Sequence, residues 1–404
     1  MSTVERLTAL SADAERELRE DILPFWAERT IDREQGGFYG LITNDLQIDM
    51  SAPKGSVLNT RILWTFSAAS RVWPDPLYRE IADRAYAYLL EHFWDDQHSG
   101  LVWMVDSRGG FLDERKQTYG QAFGVYAFSE YFRATGIRKA LECATSLFES
   151  IEANAFEPEH GGYVEALARD WSPLEDMRLS EIDLNVPYSQ NTHLHLLEAY
   201  TALLRVWPEP ALRERLEALW QILAFRIRDE KTNRLILFQD RDWRPLSRAV
   251  SHGHDIEASW LLCEAAEALG GKELIERTKT IALAMAETVL EQGFDRERGG
   301  VSDGVDHNMD VLGKEWWPQA EAIVGFLNAF ELSGKEDYLE AALASWSFIE
   351  QFVIDHTYGE WYYRVSPEGR PVLDLPKVSP WKCPYHNARA ALETIERTRR
   401  LCNR

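Results

Sequence analysis

The sequence predicts an all-α protein, an (α/α)6 barrel of six helix pairs with short hairpins and loops at the active-site mouth. Three observations carry the prediction. Six apolar amphipathic segments begin at 58, 118, 191, 253, 316 and 385, so the starts are 60, 73, 62, 63 and 69 residues apart, a beat too regular for an ordinary mixed domain. More polar helical stretches alternate with them. Nearly every residue with chemical potential sits at the front of an apolar segment, so in a closed ring the six fronts share one mouth. An open solenoid of helix pairs would show a similar repeat but no reason to gather reactive side chains at one end.

The apolar, inner segments read LNTRILWTFSAASRVW (58–73), TYGQAFGVYAFSEYFRATG (118–136), NTHLHLLEAYTALLRVWP (191–208), GHDIEASWLLCEAAEALG (253–270), WWPQAEAIVGFLNAFELSG (316–334) and YHNARAALETIERTRRL (385–401). Gly136, Gly270 and Gly334 stop three of them as C′ residues, and Pro74 and Pro208 stop two others. The polar, outer stretches cover 4–30, 76–93, 137–154, 210–228, 271–292 and 335–353. Apolar residues recur there at steps of four and three, as in Leu212, Leu216, Leu219 and Leu223, so one face of each is buried. A strand-like turn follows each outer helix: DREQGGFYGLI, DDQHSGLVWMV, PEHGGYVEAL, DEKTNRLILF, DRERGGVSDGV and DHTYGEWYYRV. The pairs Gly36/Gly37, Gly161/Gly162 and Gly299/Gly300 offer the positive φ of a tight turn.

Residues 1–404 read as a single catalytic domain, because a ring of helix pairs grows around a shared axis and no Ser/Gly/Pro-rich linker interrupts the beat. The opening MSTVERLTALSADAERELRE is charged throughout, and no run approaches the ~18 apolar residues of a membrane span, which points to a cytoplasmic protein. The 44 basic against 66 acidic residues, net −22, argue against nucleic-acid and anionic-membrane partners and disfavour a strongly anionic substrate. Cys143, Cys263, Cys383 and Cys402 form no C-x-x-C pair and read as free thiols in a reducing compartment. Fifteen Trp and fifteen Tyr suit sugar-ring platforms as well as core filling.

Two H-x-H pairs, His193/His195 and His252/His254, raise the question of a metal. On a helix, residues two apart project about 200° from each other, so His193 and His195 cannot share a site. No third ligand stands at metal-site spacing, and none is expected. An internal repeat separates the first pair: RVWPDP at 71–76 returns as RVWPEP at 205–210, and ten residues before each stand Arg61 and His195. These two therefore face one cavity, whereas a lone His on an apolar helix is otherwise a core residue. His254, 16 residues before Gly270, and Tyr119, 17 before Gly136, lie at the mouth end. Glu257, three residues on from His254, can hold its imidazole and raise its pKa. The helix N-terminus opposes this by only ~0.3–1 kcal/mol, leaving a general base near neutrality. His386 opens the sixth inner helix at the same mouth, and loss of either histidine should cost turnover rather than stability.

The motifs NTHLHLLEAY, GHDIEASWLL, WWPQAEAIVGF and WKCPYHNARAALE, in order between Asn59 and Arg389, resemble those of the cellobiose 2-epimerases of the N-acylglucosamine 2-epimerase superfamily. The resemblance implies a cofactor-independent enzyme that epimerises the reducing-end sugar of a β-1,4-linked disaccharide at C2. It implies His254 and His386 as the acid/base pair, His195 as an aid to ring opening, and Arg61 on the C1/C2 oxygens. Tyr119, Asn191 and Glu257 would be polar contacts to the substrate, and Trp317 and Trp381 sugar platforms. Tyr385 stands where some members carry Trp, which bears on the contact to the outer sugar. The bottom-up chemistry agrees. An enediolate formed by removing the C2 proton needs a cation, which Arg61 supplies, and two imidazoles flanking C2 can exchange roles as acid and base, without metal or nicotinamide. A monosaccharide-specific mannose epimerase or isomerase would use the same residues, and a glycoside hydrolase would use two of Asp255, Glu257 and Glu321. A small sugar is the expected partner, bound by a monomer or homodimer.

Overall fold

A computed structural model describes residues 1–302 and 313–403. Helices dominate it, and they alternate between two environments as the hydropathy pattern requires. Six helices are buried on nearly every face: α3 (Ser56–Val72), α5 (Thr118–Thr135), α7 (Gln190–Val206), α9 (His252–Leu269), α11 (Trp316–Ser333) and α13 (Tyr385–Cys402). Each packs on the next in that order, and α13 packs back on α3. The others lie outside: α4 (Pro76–Tyr88) on α3, α6 (Arg138–Asn154) on α5, α8 (Pro210–Ile222) on α7, α10 (Lys272–Gln292) on α9 and α12 (Glu336–Phe348) on α11. The first outer stretch is two helices, α1 (Thr3–Glu17), which packs on α13, and α2 (Leu23–Arg29), joined by a widened π turn over Leu18–Ile22. Equivalent π turns end α4, α8 and α12. The 3.6-residue pattern runs through them unbroken and gives no sign of the extra residue.

Six hairpins follow the outer helices. Ile31 faces Phe38, Trp94 faces Leu101, Phe156 faces Tyr163, Arg228 faces Leu235, Phe294 faces Val301 and Ile354 faces Trp361, always seven residues apart. Positions 303–305 of the fifth expected turn segment lie outside the described residues. Five of the six expected turn glycines have positive φ; Gly162 does not. It sits in a strand because a Cβ there would meet the Tyr188 ring at 2.6 Å, so close packing, not chirality, requires the glycine. Gly136 and Gly334 end α5 and α11 in the left-handed conformation, and Gly270 ends α9 with positive φ and extended ψ.

Four hairpins are pinned by the same device. Lys54, Lys116 and Lys314, each two residues ahead of an inner helix, and Lys377, eight ahead of α13, reach back to Asp32, Asp95, Asp295 and Asp355 at 2.8, 3.0, 2.8 and 2.5 Å. Each ammonium also donates to a turn carbonyl, of Gly36, Gly100, Gly299 and Gly359 respectively. Each aspartate in turn accepts turn amides, so a buried charge pair fixes where the inner helix begins. No helix among the described residues is long and apolar enough to cross a membrane, and all four cysteines are free.

Candidate active site

The starts of the inner helices carry the site. Tyr119, Trp317 and His386 are second residues of α5, α11 and α13, and His254 is third in α9. Arg61 and His195 are each the sixth residue of their helices, as the internal repeat requires. They meet the same two rings, which project from α5 between them. Arg61 lies 4.2 Å from the centroid of Phe123 and 5.9 Å from that of Tyr119; the His195 ring lies 4.9 and 5.1 Å from them. His193 points the other way. Its Nε2 accepts from the Tyr163 amide at 3.1 Å and its Nδ1 meets the Ser189 carbonyl at 2.7 Å, both ring nitrogens being spent on the wall.

In the three remaining histidines Nδ1 makes the supporting contact and Nε2 makes no hydrogen bond among the described residues. His195 Nδ1 lies 2.9 Å from Glu198, His386 Nδ1 2.7 Å from Glu321, and His254 Nδ1 2.8 Å from the Ser251 hydroxyl. A carboxylate accepts only, so His195 and His386 carry hydrogen on Nδ1 and present a basic Nε2. A hydroxyl both donates and accepts, so His254 can hold either tautomer. The indole of Trp317 packs against both His254 and His386, its centroid 4.6 Å from the first ring and 5.6 Å from the second. Trp381 lies 6.1 Å from the Tyr119 ring. Asn191, His254, Trp317 and Trp381 are partly exposed, whereas Arg61, Tyr119, His195 and His386 are buried. Beside His254 and Asn191 opens a cavity of about 300 Å³, whose lining includes Gln190, Ser251 and Phe238.

Burial lowers the pKa of all three site histidines, with Glu198 opposing at His195 and Arg61 and Arg389 adding to the effect at His386. At His254 the direction holds although one ring edge opens on the cavity, because protein encloses the ring otherwise and His195 lies near. The imidazoles are therefore neutral near pH 7. Arg61 remains a cation: its Nη2 donates to the Tyr119 hydroxyl at 2.7 Å, its Nη1 faces Cys383 Sγ at 3.7 Å, and among the described residues no carboxylate pairs with it directly. Neutral bases around a guanidinium with no direct carboxylate contact suit a substrate on which negative charge appears only during reaction.

Two expected roles change. Glu257 does not hold His254; it is fully buried and its Oε1 accepts from Arg389 Nη2 at 2.5 Å, so Ser251 supports the histidine instead. Tyr385 offers no surface to an outer sugar. Its ring is buried beneath the site, and its hydroxyl donates to Glu198 and accepts from Arg389. The acids suited to glycoside hydrolysis are likewise spent, Asp255 on the Leu235 amide at 2.7 Å and Glu321 on Arg389 at 2.7 Å. Glu257, Glu321 and His386 place ligand atoms within 4.8 Å of one another, a spacing a metal ion could bridge, but the Arg389 guanidinium already fills the place between the two carboxylates.

Arg389 and Glu198, which hold Tyr385 and support His195 and Glu321, are site residues the sequence reading did not single out. Glu198 follows His195 by three residues, the spacing that signalled Glu257, and Arg389 follows His386 by three within the last motif.

Proton transfer at a carbon of a small, neutral, polyhydroxylated substrate is the chemistry this arrangement serves, and the comparisons make the class definite: the protein is a carbohydrate epimerase or isomerase. Residues 37–390 match the family model described as N-acylglucosamine 2-epimerase (GlcNAc 2-epimerase). The cellobiose 2-epimerase of Bacteroides fragilis is 42% identical over 96% of this chain and 98% of its own. The solved structure of the cellobiose 2-epimerase of Bacillus thermoamylovorans superposes with a TM-score of 0.92 at 38% identity, over 96% of this chain and all of that one. A D-mannose isomerase from Marinomonas mediterranea is more distant, 24% identical over 93% of this chain and 95% of its own. The chain belongs to the N-acylglucosamine 2-epimerase family.

Proposed function

We propose that the chain is a disaccharide 2-epimerase, built as a closed (α/α)6 barrel in one catalytic domain, that interconverts glucose and mannose at the reducing end of a β-1,4-linked disaccharide, cellobiose to glucosyl-mannose. The observation that carries this reading is the pair of neutral imidazoles, His254 and His386, that both pack against Trp317. The indole is a platform for the apolar face of the reacting ring, and Trp381 one for the sugar beyond it. Asn191 and Tyr119 supply polar contacts.

The reaction begins with ring opening, in which Nε2 of His195 relays the proton between the O1 hydroxyl and the ring oxygen. His386, its Nδ1–H held by Glu321, takes the C2 proton on Nε2. The developing oxyanion meets Arg61 and the Tyr119 hydroxyl. His254, open to the cavity, takes up a proton from solvent and returns it to the opposite face, its Nδ1–H donating to Ser251 in the charged state, while the proton taken by His386 leaves to solvent. In reverse the two exchange roles. The near full-length likeness to cellobiose 2-epimerases favours a disaccharide over a free monosaccharide.

The test is incubation with cellobiose, mannobiose, glucose and mannose in heavy water, followed by proton NMR of the reducing-end C2 signal. The epimer of cellobiose should accumulate with solvent deuterium at C2 and the interglycosidic bond intact. Turnover of mannose alone would reassign the chain to the monosaccharide enzymes of the family, and full retention of the C2 hydrogen would remove the enediolate.

A further inference from the structure

Behind the histidines lies a charge imbalance that the mechanism does not use. Three buried carboxylates, Glu198 on α7, Glu257 on α9 and Glu321 on α11, converge on one guanidinium, that of Arg389 on α13. Two of them are saturated with donors. Glu198 accepts from Arg389, the Tyr385 hydroxyl and His195 Nδ1, and Glu321 from Arg389, His386 Nδ1 and, at 3.1 Å, Trp260 Nε1. Among the described residues Glu257 has a single donor, Arg389, on Oε1, and its buried Oε2 has no partner. An ionised carboxylate stripped of water on one oxygen, beside a second carboxylate on the same arginine nitrogen, is the costliest state this cluster can adopt. One proton removes the imbalance: with Glu257 neutral, Arg389 and Arg61 balance Glu198 and Glu321.

We infer that Glu257 is a protonated carboxylic acid in the resting enzyme, its hydrogen on Oε2, and that it acts as a positioning residue, leaving Arg389 to Glu198 and Glu321 so that Glu321 holds His386 in its basic tautomer. The inference rests on the proposed epimerase reading only for its kinetic consequence. Burial, and then Glu321, push Glu257 up to about 8 against the pull of Arg389. The other groups facing it do not titrate there. His195, His254 and His386 are depressed by burial, Tyr119 and Tyr385 raised by it, and Glu198 is held at about 2 by Arg389 and His195 against its own burial, while Arg61 and Arg389 stay charged. Glu321, also raised by burial, shares its nitrogen with Glu257, so the pair loses one proton as a unit. That loss places a second negative charge beside the developing enediolate, and turnover falls as pH rises through about 8.

Infrared difference spectroscopy of the full-length enzyme tests the proton directly. At neutral pH the wild type should show the C=O stretch of a buried protonated carboxyl, lost as pH rises through about 8 and missing from Glu257→Gln. Glu257→Gln, which keeps a neutral group of similar shape, should retain turnover within about tenfold of wild type and lose the alkaline limb of the pH profile, whereas Glu257→Ala and Glu321→Gln should each fall by roughly 100-fold or more. Buried Glu17 and Glu165 are raised into the same range, so the assignment rests on the difference between wild type and Glu257→Gln. A difference spectrum with no such band, or a folded Glu257→Gln as inactive as Glu257→Ala, would overturn the inference. The difference spectrum decides the proton's place even if no sugar is epimerised, which separates failure of this inference from failure of the functional reading.

Discussion

His386 rests its Nδ1 on Glu321 at 2.7 Å, whereas the equivalent nitrogen of His254 rests on a serine. The two acid/base candidates are thus unequal in support: one is fixed by an anion in a single tautomer, the other by a hydroxyl in either.

Replacing either with alanine should lower epimerisation by ~10²- to 10⁴-fold. Their melting temperatures should differ. His254→Ala removes a ring with one edge open to the cavity and no carboxylate resting on it, and should melt close to wild type. His386→Ala, against the sequence-based expectation, should also lose stability, because it strips one donor from a buried carboxylate, a loss of about 1–3 kcal/mol. Equal melting temperatures for the two variants would contradict this account of their surroundings.

His193 and His195 should part in the opposite sense. His193→Ala gives up two buried hydrogen bonds and the ring that fills the wall, so it should keep much of its turnover and lose about 2–4 kcal/mol of stability. His195→Ala should lose turnover by ~10²-fold or more. Turnover and thermal melts of both variants are the measurement, and a dead His193→Ala beside an active His195→Ala would reverse the assignment of faces on α7.

Among the described residues Arg61 makes no hydrogen bond or ion pair to a carboxylate, so its removal strips no donor from one. Arg61→Gln should therefore fold and bind sugar, and lose ~10²- to 10³-fold in turnover, the scale of one missing oxyanion donor. A KM effect alone, with turnover intact, would show that Arg61 binds the ground state only.

Acid stability should be set in part by His193, which burial pushes down to about 4 despite its bond to Ser189. A depressed histidine binds more protons unfolded than folded, so the stability tied to its neutral form is complete above about 6.5 and declines as pH falls towards 4. The difference is on the order of 3 kcal/mol. Denaturant melts at intervals from pH 7 to about 4 should show this slope, and a His193→Gln variant should show a shallower one.

The architecture was legible because its signals are local. The alternation of apolar and polar helices, the turn glycines and the helix stops each depend on a few neighbouring residues, and they place the helices to within a few positions. The π turns were not, since an apolar residue every three or four positions accommodates one extra residue without a break. The site shows where local rules end. The spacing of three that pairs an imidazole with a carboxylate holds for His195 and Glu198. The same spacing misassigns Glu257, because Arg389, arriving from α13 and 132 residues away in sequence, binds that carboxylate more strongly than a neutral histidine can. Only the packing of α9 against its neighbours around the ring decides between the two.

The buried lysine–aspartate clamps that begin four of the inner helices have a consequence for how such a chain can change. At Lys54–Asp32 and Lys377–Asp355, where both side chains are buried, either partner alone, replaced by an apolar residue, leaves an unpaired charge in a dry site, a loss of about 3–5 kcal/mol, while replacing both together can be nearly neutral. Such a clamp can therefore be exchanged only as a unit: Lys54→Met together with Asp32→Leu should fold where either change alone is impaired.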